Sequence, residues 1–237
     1  MVAPGQPPDA GPRRATAVRR GLTTPRAAGV VGIVFAVLFV LALVLLRQAV
    51  GQDLDNATVL QNLTSEGSAS NMALVGLNAI PFAGIAFLWF IGVIRDRIGE
   101  SEDRFFATVF LGSGLLFVAM LFAAAAVLGG LIAGNRYGTA APTDEATVGF
   151  ARSVGYTFLF LFASKVAGIF ALVMATIIQR SGWPRWTSLS GFATAAFLLL
   201  SITFFEPLVL LFAAWVAAIS AYVLLTGGRQ ARGGTGL

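Results

Sequence analysis

Six stretches of this chain are apolar for long enough to cross a membrane, and that constrains the fold more than any other feature. They run over 27–46, 72–94, 105–134, 154–178, 187–205 and 207–226. A hydrocarbon layer about 30 Å thick takes roughly 20 helical residues to cross. Inside it every backbone N–H and C=O must be satisfied internally, so runs of this kind are read as helices. Composition agrees, with 57% of residues hydrophobic and 11% charged, where a soluble domain carries about 25% charged. The expected fold is all-α: a polytopic bundle of six transmembrane helices in one membrane domain, 27–226. Residues 1–26 are rich in Pro, Gly and Arg without apolar periodicity and read as a disordered basic tail. Residues 227–237 form a short second tail. The first apolar run exceeds the 7–15 residues of a cleavable signal core, so it reads as an uncleaved span.

Arginine sets the expected orientation. With the N-terminus placed inside, twelve arginines fall in inside segments and three, Arg47, Arg136 and Arg152, fall outside. Positive charge is retained on the cytoplasmic side, and an even number of spans puts both termini there. The expected location is the plasma (inner) membrane, multi-pass. The basic residues lie beside spans, where they attract anionic lipid headgroups, above all through the Arg-rich N-terminal tail. They give no reason to expect a nucleic-acid partner.

Two absences narrow the chemistry. The chain has no cysteine and no histidine. That removes the thiolate nucleophile, the commonest metal ligand and the usual general base. No cofactor and no enzymatic activity are expected.

Lys165 is the only lysine, and it lies in the middle of "FLFASKVAGIFA", residues 158–169. A charge at a helix centre costs about 2.5–3.5 kcal/mol on insertion scales, and an intramembrane ionisable residue is a functional hypothesis by default. No span interior supplies an acid to meet it. The sequence offers Glu206, between the last two spans, and "LNAIP" in the second span. There Pro81 cannot donate to the Leu77 carbonyl, and Asn78 sits beside the gap. The expected intramembrane polar site is therefore Lys165 with Asn78, Leu77, Pro81 and Glu206. A serine–lysine pair with Ser164 is geometrically poor, because adjacent helical residues diverge by about 100°. Ser113 or Ser201, from other spans, remains within reach.

The densest charge lies in "RDRIGESEDRFF" between the second and third spans, with Arg95, Asp96, Arg97, Glu100, Glu102, Asp103 and Arg104. Alternating signs in a short cytoplasmic turn pair with one another and are weak individually. A docking surface is the residual use.

The segment "DRIGESEDRFFATVFLGSGLLF", residues 96–117, resembles uncharacterised multi-pass membrane proteins of actinobacteria. The resemblance implies a bacterial inner membrane and no particular activity. The functional expectation is a non-enzymatic scaffold or modulator of a membrane complex, with a membrane-protein partner or a second copy of the chain. The alternative is a small transporter or channel subunit with an outward site at Lys165, Asn78 and the Pro81 kink. A membrane enzyme ranks last.

Overall fold

The computed structural model describes residues 25–65, 67–98, 104–136, 144–201 and 207–233. Side chains are described for 29–65, 67–95, 105–134, 144–201 and 209–226. The described residues contain helices and their connections and no strand. The helices are α1 (Pro25–Val50), α2 (Asn56–Thr64), α3 (Ser68–Ile98), α4 (Arg104–Arg136), α5 (Glu145–Tyr156), α6 (Ser164–Arg180), α7 (Arg185–Leu200) and α8 (Pro207–Gly233). A π-helical segment, Thr157–Ala163, joins α5 to α6 into one rod from Glu145 to Arg180.

Five helices are long and apolar enough to cross a membrane: Gly29–Val50, Ser68–Arg95, Phe105–Gly134, Glu145–Arg180 and Val209–Thr226. They are the helices of a membrane-embedded protein. The sequence reading named six, and the difference lies in the fifth. The apolar run covers 187–205, but α7 stops at Leu200 after 16 residues, about 24 Å of helix. This is shorter than the roughly 30 Å of hydrocarbon. Ser201 then turns to an extended conformation. The fourth span also starts earlier than its apolar run. Asp144 caps α5 by accepting from the Thr147 N–H at 2.8 Å, and an Asp at this position satisfies one of the free donors of a first turn.

The helices pack around phenylalanine. Phe87 of α3 is fully buried and faces Phe35 of α1 at 4.8 Å, Phe117 of α4 at 5.0 Å, Phe170 of α6 at 5.1 Å and Phe212 of α8 at 5.8 Å between ring centroids. Five helices thus meet in one aromatic cluster that fills the bundle centre. Tilted and edge-to-face pairs at these spacings contribute beyond simple burial.

Small residues bring α1 close to its neighbours. A Cβ at Gly76 of α3 would lie 2.9 Å from Leu45 Cβ and 3.0 Å from the Ala42 carbonyl oxygen. Gly29 of α1 packs against Ser220 and Leu224 of α8, while Leu210 at the other end of α8 lines a cleft with Leu43 and Leu46. So α1 and α8 are antiparallel. Gly84 of α3 receives Phe122 of α4, and Gly168 of α6 receives Leu199 of α7. In each case the glycine admits a side chain from the next helix in the chain. The α6–α7 turn needs Gly182, whose φ of 72° is left-handed. Trp183 of this turn and Trp186 of α7 pack on Tyr222 of α8.

Candidate functional site

Lys165 resolves into a helix cap. Its Nζ donates to the carbonyls of Leu198 at 2.8 Å, Leu199 at 3.2 Å and Ser201. These lie at the C-terminal end of α7. The last four carbonyls of a helix have no intrahelical donor, and together they form the negative pole of the helix dipole. α7 runs antiparallel to α6, so its end meets Lys165 about 22 Å from Arg180 along α6. Inside hydrocarbon, free carbonyls have no water to satisfy them. An ammonium carries three N–H donors and no acceptor, and three carbonyls converge on it here. A planar guanidinium fork suits carboxylates and phosphates better than such a cluster. That accounts for a lysine in a chain otherwise furnished with arginine.

The other members of the expected site lie elsewhere. Asn78 is exposed on α3, and its Nδ2 donates to the Leu74 carbonyl one turn back, at 2.8 Å. Leu77 packs its side chain over Gly129 of α4. Pro81 sits inside the continuous helix α3, also exposed. None of these three is joined to Lys165. Glu206 falls outside the described residues. Ser113 donates back to Val109 at 2.7 Å, and Ser164 donates to Phe160, so both hydroxyls serve their own helices. Ser201 meets Lys165 through its carbonyl. Of the charged loop, Arg95 is exposed at the end of α3. The side chains of Asp96, Arg97, Glu100, Glu102, Asp103 and Arg104 lie outside the description. At the same end of the bundle, Arg180 stacks over the Phe106 ring at 4.9 Å.

A second engaged cation, this one buried, was counted in the sequence only as an outside charge. Arg152 of α5 is 7% exposed. Its guanidinium donates to Asn56 Oδ1 at 2.7 Å, to the Leu54 carbonyl at 2.9 Å and to the Gly51 carbonyl. Tyr156, one turn on, donates to the Val50 carbonyl. Together they clamp the turn between α1 and α2 onto the rod. The sequence signal was faint: an arginine and a tyrosine at i, i+4 on a helix extending beyond its apolar run.

The clamped turn carries its own charges. Arg47 pairs with Asp53 at 3.4 Å. The Asp53 carboxyl is held below its ordinary range by a hydrogen bond from its own backbone first and by Arg47 second. Asp55 caps α2 by accepting from the Thr58 N–H at 2.9 Å, and the Thr58 hydrogen bonds lower its pKa as well. Beside the clamp lies a polar groove lined by Gln52, Asn56, Gly149, Arg152, Ser153 and Tyr156. On its other side Tyr156 also lines an apolar cleft with Leu43, Leu46, Leu128, Leu159 and Phe160. Among the described residues no three acidic side chains converge to hold a cation. Comparison with protein-family models, curated proteins and solved structures returns no match.

Proposed function

We propose that the chain is a non-enzymatic scaffold or modulator of a membrane complex in a bacterial plasma membrane, with six passes and both termini cytoplasmic. One observation carries the functional part: the sole lysine, the residue best placed for intramembrane chemistry, is engaged by three carbonyls of its own fold. Arg152 is engaged in the same way. The cations drawn into this protein hold helices together, and phenylalanine rings fill the space a conduit would need. The antiparallel packing of α1 and α8 supports termini on one side. In this reading the chain between Arg180 and Pro207, which holds α7, makes the sixth pass. The Arg-rich tail adds anionic-lipid contact, and the loop from Arg95 to Arg104 is the cytoplasmic docking surface. A transport reading centred on Lys165, Asn78 and Pro81 draws no support from a geometry in which Asn78 points away from the bundle.

The single lysine makes the test direct. Apart from the N-terminus, Lys165 is the only primary amine. A membrane-impermeant acylating reagent applied from the outer side, followed by peptide mass spectrometry, is expected to leave Lys165 unmodified until the protein is unfolded. Ready modification of folded protein would expose a water-filled outward pocket and overturn the scaffold reading in favour of transport.

A further inference from the structure

Intramembrane polar side chains almost always face the bundle interior or a water-filled cavity. Asn78 breaks that rule. It lies far from both ends of α3, and it is exposed. Its Nδ2 returns one hydrogen bond to Leu74. Its Oδ1 and second N–H have no partner among the described residues. Pro81, on the same exposed face, leaves the Leu77 carbonyl without its helical donor. The outer surface of α3 therefore presents unmet donors and acceptors to hydrocarbon, where an unsatisfied group costs several kcal/mol.

The surroundings of Asn78 form a seam. Asn71, Val75, Asn78, Phe82, Ile85 and Trp89 are all exposed, at alternating spacings of four and three. Val75 is 61%, Phe82 63% and Trp89 58% exposed. That is the a/d stripe of a two-stranded coiled coil. A single asparagine at such a position pairs with its counterpart and fixes register and oligomer state. The outward faces of α1 (Val34, Val37, Val44) and α4 (Leu115, Leu116, Phe122) are exposed too, but they are apolar, and lipid satisfies them. α3 needs a partner that can hydrogen-bond.

We propose that the exposed face of α3 is the interface with a second copy of this chain, with Asn78 paired to Asn78 across a two-fold axis normal to the membrane. A carboxamide offers both donor and acceptor, so two of them related by a two-fold satisfy each other reciprocally, as a self-complementary interface requires. The pairing requires α3 to be membrane-embedded and is independent of the scaffold role.

The natural absence of cysteine permits single-cysteine scanning without background. V75C, F82C and I85C, with V44C and L115C as controls on other faces, are oxidised in proteoliposomes of defined lipid and read on non-reducing gels. The α3 positions are expected to give disulfide-linked dimers and the controls monomers. Dimer formation at equal strength on α1 or α4, or none on α3, overturns the proposal. Asn78→Leu is then expected to raise the dissociation constant about threefold to twentyfold in a lipid-dilution energy-transfer assay, the range of measured interhelical hydrogen bonds. An unchanged constant overturns the role of Asn78. Protection of Lys165 from acylation in each variant confirms that the fold is retained. Because that readout also tests the scaffold reading, failure of the dimer and failure of the scaffold give different patterns.

Discussion

Replacing Lys165 by methionine tests the cap at the end of α7. Methionine keeps most of the stem and removes the three N–H donors. Hydrogen bonds to charged groups are worth about 1.5–3 kcal/mol each, and Lys165 makes three, to Leu198, Leu199 and Ser201. Full additivity would give about 4.5–9 kcal/mol, but bonds sharing one donor group are not additive. Against this stands the roughly 2.5–3.5 kcal/mol relieved by taking a charge out of a helix centre. The expected net effect is a loss of about 2–5 kcal/mol. Equilibrium unfolding in bicelles, by steric trapping or detergent titration, measures it. Hydrogen exchange should place the loosening in the last turn of α7. Lys165→Arg keeps the charge but fits three converging carbonyls poorly, and should lose about 1–2 kcal/mol. A methionine variant as stable as the parent or more so would refute the reasoning, because the charge would then be a burden and the carbonyls satisfied without it.

Other parts of the structure give independent tests. Arg152→Met should strip the Gly51 and Leu54 carbonyls of their donors, destabilise the protein by about 2–4 kcal/mol, and speed amide exchange across 51–64. Tyr156→Phe, which removes one bond to Val50, should lose only about 0.5–1.5 kcal/mol. Asp53 and Asp55 have pKa values lowered from 3.8 by hydrogen bonds formed on folding, so their contribution is present above about pH 4 and is lost as pH falls through the lower folded values. Exchange at α2 should therefore rise selectively below pH 4 and stay flat between pH 5 and 8. Gly76→Val should force α1 from α3 at Leu45 and Ala42 and destabilise the bundle by about 1–3 kcal/mol, read by the same unfolding assay.

The helices were legible because crossing hydrocarbon leaves the backbone one local solution, and its length shows in apolar run length. The long spans at 72–94 and 105–134 sit within α3 and α4 for that reason. The structure adds most where the decisive partner is remote in sequence. The apolar character of "LLLSITFF" continues past Leu200, while α7 ends there with its last carbonyls met by a lysine 33 residues before Leu198. The gap that Pro81 leaves at the Leu77 carbonyl, with Asn78 beside it, suggested a contact with Lys165. Depth follows from sequence; azimuth follows from packing, and packing turned Asn78 outward. Arg152 looked like a topology charge because its acceptors, two backbone carbonyls and one asparagine side chain, lie about a hundred residues away, where residue types do not reveal them.

By itself the sequence determined the solvent of this protein, its helical class and the places where long helices cross. Those follow from the free energy of moving each residue and its backbone out of water, which is a local property. Tertiary structure alone decided what Lys165 and Arg152 do and which faces are left exposed. Both depend on which main-chain carbonyls are orphaned and on what rotation each helix adopts, and these quantities do not exist until the helices pack.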